Sequence, residues 1–326
     1  MNTVLLLTLS LPAGYVLDLF FGDPLRSLHP VILIGKLISA CEKLCRRIFP
    51  KTKTGENLAG LVLWIIVSAV SFSVPFLILM LCLRVSPWLA FAVETVLAWQ
   101  MLAVRSLKTE SMKVYYALRR NNLEKARYAV SMIVGRDTQR LDEAGVTKAA
   151  VETVAENTSD GVAAPVFWYA FGGAPLGFLY KAVNTMDSML GYIEPPYKNI
   201  GLVPATLDDI FNFLPSRICA LFMLAAGTIL RFDGKNGWRI FRRDRYNHAS
   251  PNSAQTESVC AGLLRIRLGG DAWYHGELHK KKTIGDDLRP VEYKDIPRSC
   301  GIMVLTSALL VAAGTALRFL MLQLIL

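Results

Sequence analysis

ETVAENTSDGVAAPVFWYAFGGAPLGFLYKAVNTMDSMLGY, from Glu152 to Tyr192, is the stretch on which the reading of this chain turns. Three carboxylates lead it. Glu152, Glu156 and Asp160 are spaced i, i+4 and i+8, so on a helix they share one face. Like charges at that spacing repel, and a purely structural helix avoids stacking them without cations between. The apolar run 162–180 follows, close to the ~20 residues that cross a bilayer. Pro165, Gly172, Gly173, Pro175 and Gly177 interrupt it. So many breakers predict a discontinuous or re-entrant segment, which lipid tolerates only where backbone is buried in protein or lines a wet cavity. Beyond it, Lys181, Asn184, Thr185, Asp187 and Ser188 sit among apolar residues. Polar groups at both ends of a membrane-grade segment mark a site.

The whole chain extends the pattern. Of its 326 residues 53% are hydrophobic, and mean hydropathy is +0.36. Soluble domains are about 45–50% apolar, with the apolar residues dispersed. Here they cluster in runs near 3–21, 58–83, 87–104, 162–180, 210–230 and 301–326. The expected fold is all-α: a polytopic integral membrane protein with about four to six membrane segments, one or two of them re-entrant. It is expected to form a single membrane-embedded domain over 1–326, with helical cytoplasmic segments at 105–160 and 231–300. The first run lacks a basic leader and ends in Asp18, Gly22, Asp23 and Pro24, so it reads as a retained span.

Net charge is +10, and 31 of the 36 Lys and Arg fall within 22–57, 105–160 and 231–300. The positive-inside rule places these segments in the cytoplasm. The pI near 9.4 then reflects topology, and no aromatic-interleaved nucleic-acid motif accompanies it. The loop 181–209 holds only Lys181 and Lys198. Strict parity puts this loop outside, whereas cytoplasmic chemistry wants Lys181, Asp187 and Asp208 inside; a pair of half-penetrating segments satisfies both. Six cysteines show no CxxC, and Cys41 and Cys45, four apart, suit one helix face and a reduced state.

Local signals place the remaining elements. Gly22-Asp23-Pro24 and His29-Pro30 form turns leading to an amphipathic helix at 36–48. An Asp at the apolar end of a span is costly unless paired, so Asp18 and Asp23 are balanced between structure and site. Residues 58–83 and 87–104 form a helical hairpin with Arg84 at its outer turn; Glu94 inside it is equally a functional or a structural group. In 105–160, Asn121-Asn122 breaks the helix, Gly135 is a C-cap candidate, Asp137-Thr138 could cap a helix including Leu141, and Thr147 could cap the carboxylate helix. Arg136 is an anion-site candidate. In 231–300, the turn Ser250-Pro251-Asn252 precedes a helix capped by Asn252 or Ser253 and carrying Glu257. With Arg and His nearby, its N-terminus reads equally as a phosphate cradle or a plain cap. His275 and His279, four apart, could share a metal from one helix face, though surface histidines are commoner. There is no internal repeat, no GxxxxGK[ST], no GxGxxG and no GxSxG.

Several of these elements together resemble the adenosylcobinamide-phosphate synthase family of cobalamin biosynthesis. They are GDP at Gly22–Pro24, HPV at His29–Val31, ENTSDG at Glu156–Gly161, KAVNTMDSM at Lys181–Met189, and HASPNS at His248–Ser253 with Glu257 and LGG after it. The resemblance covers nearly the whole chain. It implies a multi-pass enzyme of the cytoplasmic membrane with its active site facing the cytoplasm. The implied reaction joins the remaining carboxylate of adenosylcobyric acid to (R)-1-amino-2-propanol O-2-phosphate, or to free aminopropanol, as an ATP-dependent carboxylate–amine ligase. A complex with other cobalamin-assembly enzymes belongs to the same expectation, as does the lipid bilayer as a partner; nucleic acid does not.

The residue chemistry is compatible with it. Activating a carboxylate through a phosphate calls for Mg2+, with Glu156, Asp160 and Asp187 as candidate ligands and Glu152 beside them. Lys181 can stabilise developing charge, and His248 or an Asp can take the amine proton. Nucleotide-binding candidates are Asn157, Asn184, Ser188, Asn252, Ser253 and Glu257; substrate-binding candidates are Asp23, His29, Asp208 and Arg217. A transporter remains an alternative, because charged residues flanking a broken helix also suit transport sites. A non-enzymatic membrane regulator is another.

Overall fold

The computed structural model describes residues 3–23, 29–192, 194–274 and 276–325. Pro24 of the GDP element and His275 therefore lie outside the described residues. Five helical stretches are long and apolar enough to cross a membrane, or up to six if a pair bent by 46° counts as one span. The chain divides into two units, each assembled from separated segments.

The first unit comprises Met1–Ala103, Ala164–Asn212 and Val311–Leu326. It contains α1 (Thr3–Phe21), α2 (Pro30–Ile48), α3 (Lys53–Val85), α4 (Pro87–Met101), α8 (Ala164–Leu190), α9 (Leu202–Phe211) and the end of α13 (Asp295–Ile325). The turn chemistry explains their starts. His29 caps α2, its Nδ1 accepting from the Val31 N–H, with Pro30 in the first turn where no N–H is needed. Ser86 ends α3 and caps α4, with Pro87 following. The expected hairpin is thus present. Cys41 and Cys45 lie buried on α2, and all six cysteines are free thiols. Gly14 lets α1 meet α4, since a Cβ there would lie 2.7 Å from that of Ala98.

The expected discontinuity in 162–180 is confined to two residues of α8. Gly172 and Gly173 leave helical geometry, Gly173 with φ 66°. A Cβ at Gly173 would collide with Glu94 and Arg318. Glu94, 1% exposed, accepts the Ala174 N–H freed by the break. Arg318 Nη2 lies 3.3 Å from Glu94 Oε1, and Tyr169, linked to Ser10 at 2.7 Å, donates to the same carboxylate. In lipid an unsatisfied backbone group costs several kcal/mol. Glu94 therefore caps the second half of α8, and Arg318 neutralises the cap.

The second unit comprises Val104–Ala163 and Phe213–Leu310. Its helices are α5 (Val104–Arg119), α6 (Leu123–Ser131), α7 (Glu143–Thr158), α10 (Phe213–Ile229), α11 (Gly234–Asp244), α12 (Ser253–Leu264) and the start of α13; a π-helical turn at Ser159–Ala163 follows α7. Every residue of α12 is buried, among them Gln255, Thr256 and Glu257. It packs against α7, α10 and α11. Gly262 and Gly237 let α12 and α11 touch backbone to backbone.

Several local expectations shift. Asn122 caps α6 as the Asn-Asn break implies, but α6 ends at Ser131 with Met132 as its cap, so Gly135 is not a C-cap. Residues 137–141 form no helix. Asp142 caps α7 through the Gly145 N–H, leaving Thr147 inside the helix bonded to the Glu143 carbonyl. Within 231–300, two short antiparallel ladders appear: β1 (Leu268–Gly269) with β4 (Thr283–Ile284), and β2 (Ala272–Tyr274) with β3 (Glu277–His279). His279 thus lies on a strand, and the helix-face reading of the histidine pair fails.

Candidate active site

In the second unit α7 and α12 bring together carboxylates about a hundred residues apart in sequence. Glu152 is 4% exposed; its Oε2 lies 2.6 Å from Arg136 Nη2, and its Oε1 accepts the Gly269 N–H at 2.7 Å. Glu156, one turn on, accepts from the Ser253 hydroxyl at 2.8 Å. Glu257, 5% exposed, lies within electrostatic reach of both. Burial first, and then the charges of Glu156 and Glu152, push its carboxyl well above the usual range, against Arg136 and Lys281.

Asp160 falls in the π-helical turn, whose wider winding departs from regular i+8 spacing, and its charge acts on Cys219 of α10. Asn157 ties its amide back to the Thr153 carbonyl. Asn252 occupies the N-cap position of α12 without a side-chain capping bond. Its Oδ1 accepts from Ser216 and from Arg217, 3.2 and 3.1 Å away. Ser253 serves Glu156 rather than a cap.

His248 belongs to the same cluster. Burial lowers its pKa most; Glu156 and Glu152 oppose that, and Lys281 adds to it. Its Nδ1 accepts the Ser250 N–H at 3.1 Å. A neutral ring carries one proton, so Nε2 holds it. The ring is a donor toward an anion, and it is ill placed to take the amine proton.

The remaining candidates lie in the first unit. Lys181, Asn184, Asp187 and Ser188 occupy the second half of α8. Asn184 Nδ2 points at Asp208 Oδ1 on α9, 3.4 Å away, and Ser188 bonds the Asn184 carbonyl. His29 Nε2 lies 3.6 Å from Asp23, and Lys181 acts on the same ring. Of the candidate metal ligands, Glu156 and Asp160 belong to the second unit and Asp187 to the first. Glu156 and Glu257, with the Ser253 hydroxyl, form an all-oxygen set containing two carboxylates, a composition that suits Mg2+.

The motifs of both units fall within one match. The family model described as CobD/Cbib protein covers residues 11–303. The chain belongs to the CobD/CbiB family. Within it, the chain is 45% identical over 296 residues to the cobalamin biosynthesis protein CobD of Clostridium perfringens, covering 91% of this chain and 93% of that one. It is 43% identical over 305 residues to the cobalamin biosynthesis protein CbiB of Salmonella typhi, covering 94% and 95%. No solved structure matches.

Two charged residues of this cluster escaped the sequence reading. Arg136 appeared only as an anion candidate, whereas Glu152 occupies its charge. Lys281 sits in Lys280-Lys281-Lys282, a run that reads as a solvated patch. Nothing local separates Lys281 from its neighbours; only the fold of the ladders does.

Proposed function

We propose that this CobD/CbiB protein, a component of cobalamin biosynthesis, joins the free carboxylate of adenosylcobyric acid to (R)-1-amino-2-propanol O-2-phosphate or to free aminopropanol, with ATP as the activating co-substrate. The observation that carries the reading is the group formed by buried Glu152 and Glu257 and half-buried Glu156, with Arg136, His248 and Lys281 in electrostatic reach. The charges of Glu156 and Glu152 bear on Glu257, and that repulsion is unfavourable unless a cation answers it. Glu156, Glu257 and Ser253 would hold Mg2+, which neutralises phosphate charge. Arg136 fixes Glu152, and the His248 Nε2–H donates to an anionic oxygen.

In this reaction a carboxylate oxygen attacks the γ-phosphorus and the bond to ADP breaks, leaving an acyl phosphate. The amine nitrogen then attacks the carbonyl carbon, the carbon–oxygen bond to phosphate breaks, and the amine proton leaves to solvent or a nearby carboxylate. The site lies in the basic part of the chain, which the positive-inside rule assigns to the cytoplasm, and this supports use of a cytosolic nucleotide. The test is mass spectrometry of purified protein in detergent with adenosylcobyric acid, aminopropanol phosphate and MgATP. A product heavier by the amino alcohol phosphate less water, formed only with ATP, supports the reading. Absence of product from folded, corrinoid-binding protein would shift weight to transport or scaffolding.

A further inference from the structure

We infer that Lys281 is a cation that meets the transferred phosphoryl group; the inference rests on the functional reading above. Lys281 leads into β4, and that segment is anchored over the acids. Gly269 of β1 donates to Glu152 and pairs with Thr283 of β4, and Gly270 donates to the Lys282 carbonyl at 3.2 Å. On the other side Asn247, the neighbour of His248, donates to the Thr283 carbonyl at 3.2 Å. The segment carrying Lys281 is thereby held between Glu152 and the His248 turn.

The ammonium group is held without being neutralised. Lys281 Nζ lies 2.7 Å from the Tyr274 hydroxyl and 4.6 Å from the centre of that ring. Among the described residues no carboxylate forms an ion pair with it. Its charge nevertheless reaches both His248 and Glu257. Arg136 offers no such free charge, because Glu152 takes it. The hairpin is itself fixed: the Asp137 N–H bonds the Trp273 carbonyl and Asp137 Oδ2 accepts from Gly276, each at 2.8 Å. A cation held on the Tyr274 hydroxyl and in electrostatic reach of Glu257 is available for a phosphate oxygen as the bond to ADP breaks.

The full chain in detergent tests this with MgATP, adenosylcobyric acid and aminopropanol phosphate as probes. Lys281→Met is expected to lower kcat for amide formation by about a hundredfold or more. It should leave KM for the amino alcohol and the unfolding temperature unchanged, and weaken MgATP retention. Lys281→Arg is expected to restore part of kcat. Wild-type turnover by Lys281→Met overturns the inference. So does a loss explained by a lowered unfolding temperature, or an Arg variant no better than Met. If wild type yields product while Lys281→Met is unchanged, this assignment alone falls; if wild type neither yields product nor retains MgATP, the functional reading falls with it.

Discussion

Glu156 and Asp160 look alike in the sequence, but the structure separates them. Glu156 accepts from Ser253 and its charge acts on Glu257, whereas Asp160 sits in the π-helical turn and its charge acts on Cys219. Glu156→Gln is expected to lower amide formation about a hundredfold and to raise the Mg2+ concentration needed, while Asp160→Asn retains most activity. Steady-state rates across a Mg2+ titration decide between the two. His29 gives a pH prediction. Burial lowers its pKa from 6.5, with Asp23 opposing and Lys181 assisting. A lowered folded value means the neutral ring contributes stability above pH 6.5, which is lost as pH falls through the folded value. The mechanism is local, since a protonated Nδ1 cannot accept the Val31 N–H. His29→Asn keeps a capping acceptor and removes the titration. Its thermal unfolding should therefore vary less than wild type between neutral and mildly acidic pH.

The α8 break concentrates the constraints on single elements. Gly173→Ala puts a side chain where φ is 66° and where Glu94 and Arg318 already sit. The left-handed backbone alone costs about 1–2 kcal/mol, and the collisions add to it. Gly135→Ala, with open space around it, should be neutral. Removing one partner of the Glu94–Arg318 pair is expected to cost about 3–5 kcal/mol, because the other charge stays buried. Glu94→Gln combined with Arg318→Met should recover much of that loss. Thermal unfolding in detergent measures all of these, and an Arg318→Met variant as stable as wild type would remove the pair's role. The breakers in 162–180 made such a discontinuity legible. Its partner did not show, because Arg318 is 145 positions from Gly173 and reads only as a charge near the chain's end. The π-helical turn at Ser159–Ala163 was equally hidden, since it preserves composition while altering only the winding.

Neither unit is continuous along the chain: the first draws on three segments and the second on two. A contiguous fragment would therefore lack part of any core. The charge pattern predicts opposite sides for two exposed positions, Arg84 at the α3–α4 turn and Lys280 in the basic segment. With cysteine introduced at each, a membrane-impermeant maleimide should label Arg84→Cys in intact cells and Lys280→Cys only after lysis. Labelling of both in intact cells would place them on one side and overturn the assigned topology.

The apolar runs, the helix starts at Pro30 and Pro87, and the basic flanks act over one or two turns, so composition and spacing alone foretold the helical membrane architecture. Hydropathy and capping are local, and they repeat at periods the chain displays directly. The ladders at 268–284 are too short for a period to emerge, which left Lys281 inside an ordinary lysine run. Convergence of Glu152, Glu156, His248, Glu257 and Lys281 required α7, α12 and those ladders to pack. That packing is governed by complementary volumes and by hydrogen bonds to buried groups such as Glu152, interactions between positions whose separation in sequence carries no signal of their meeting.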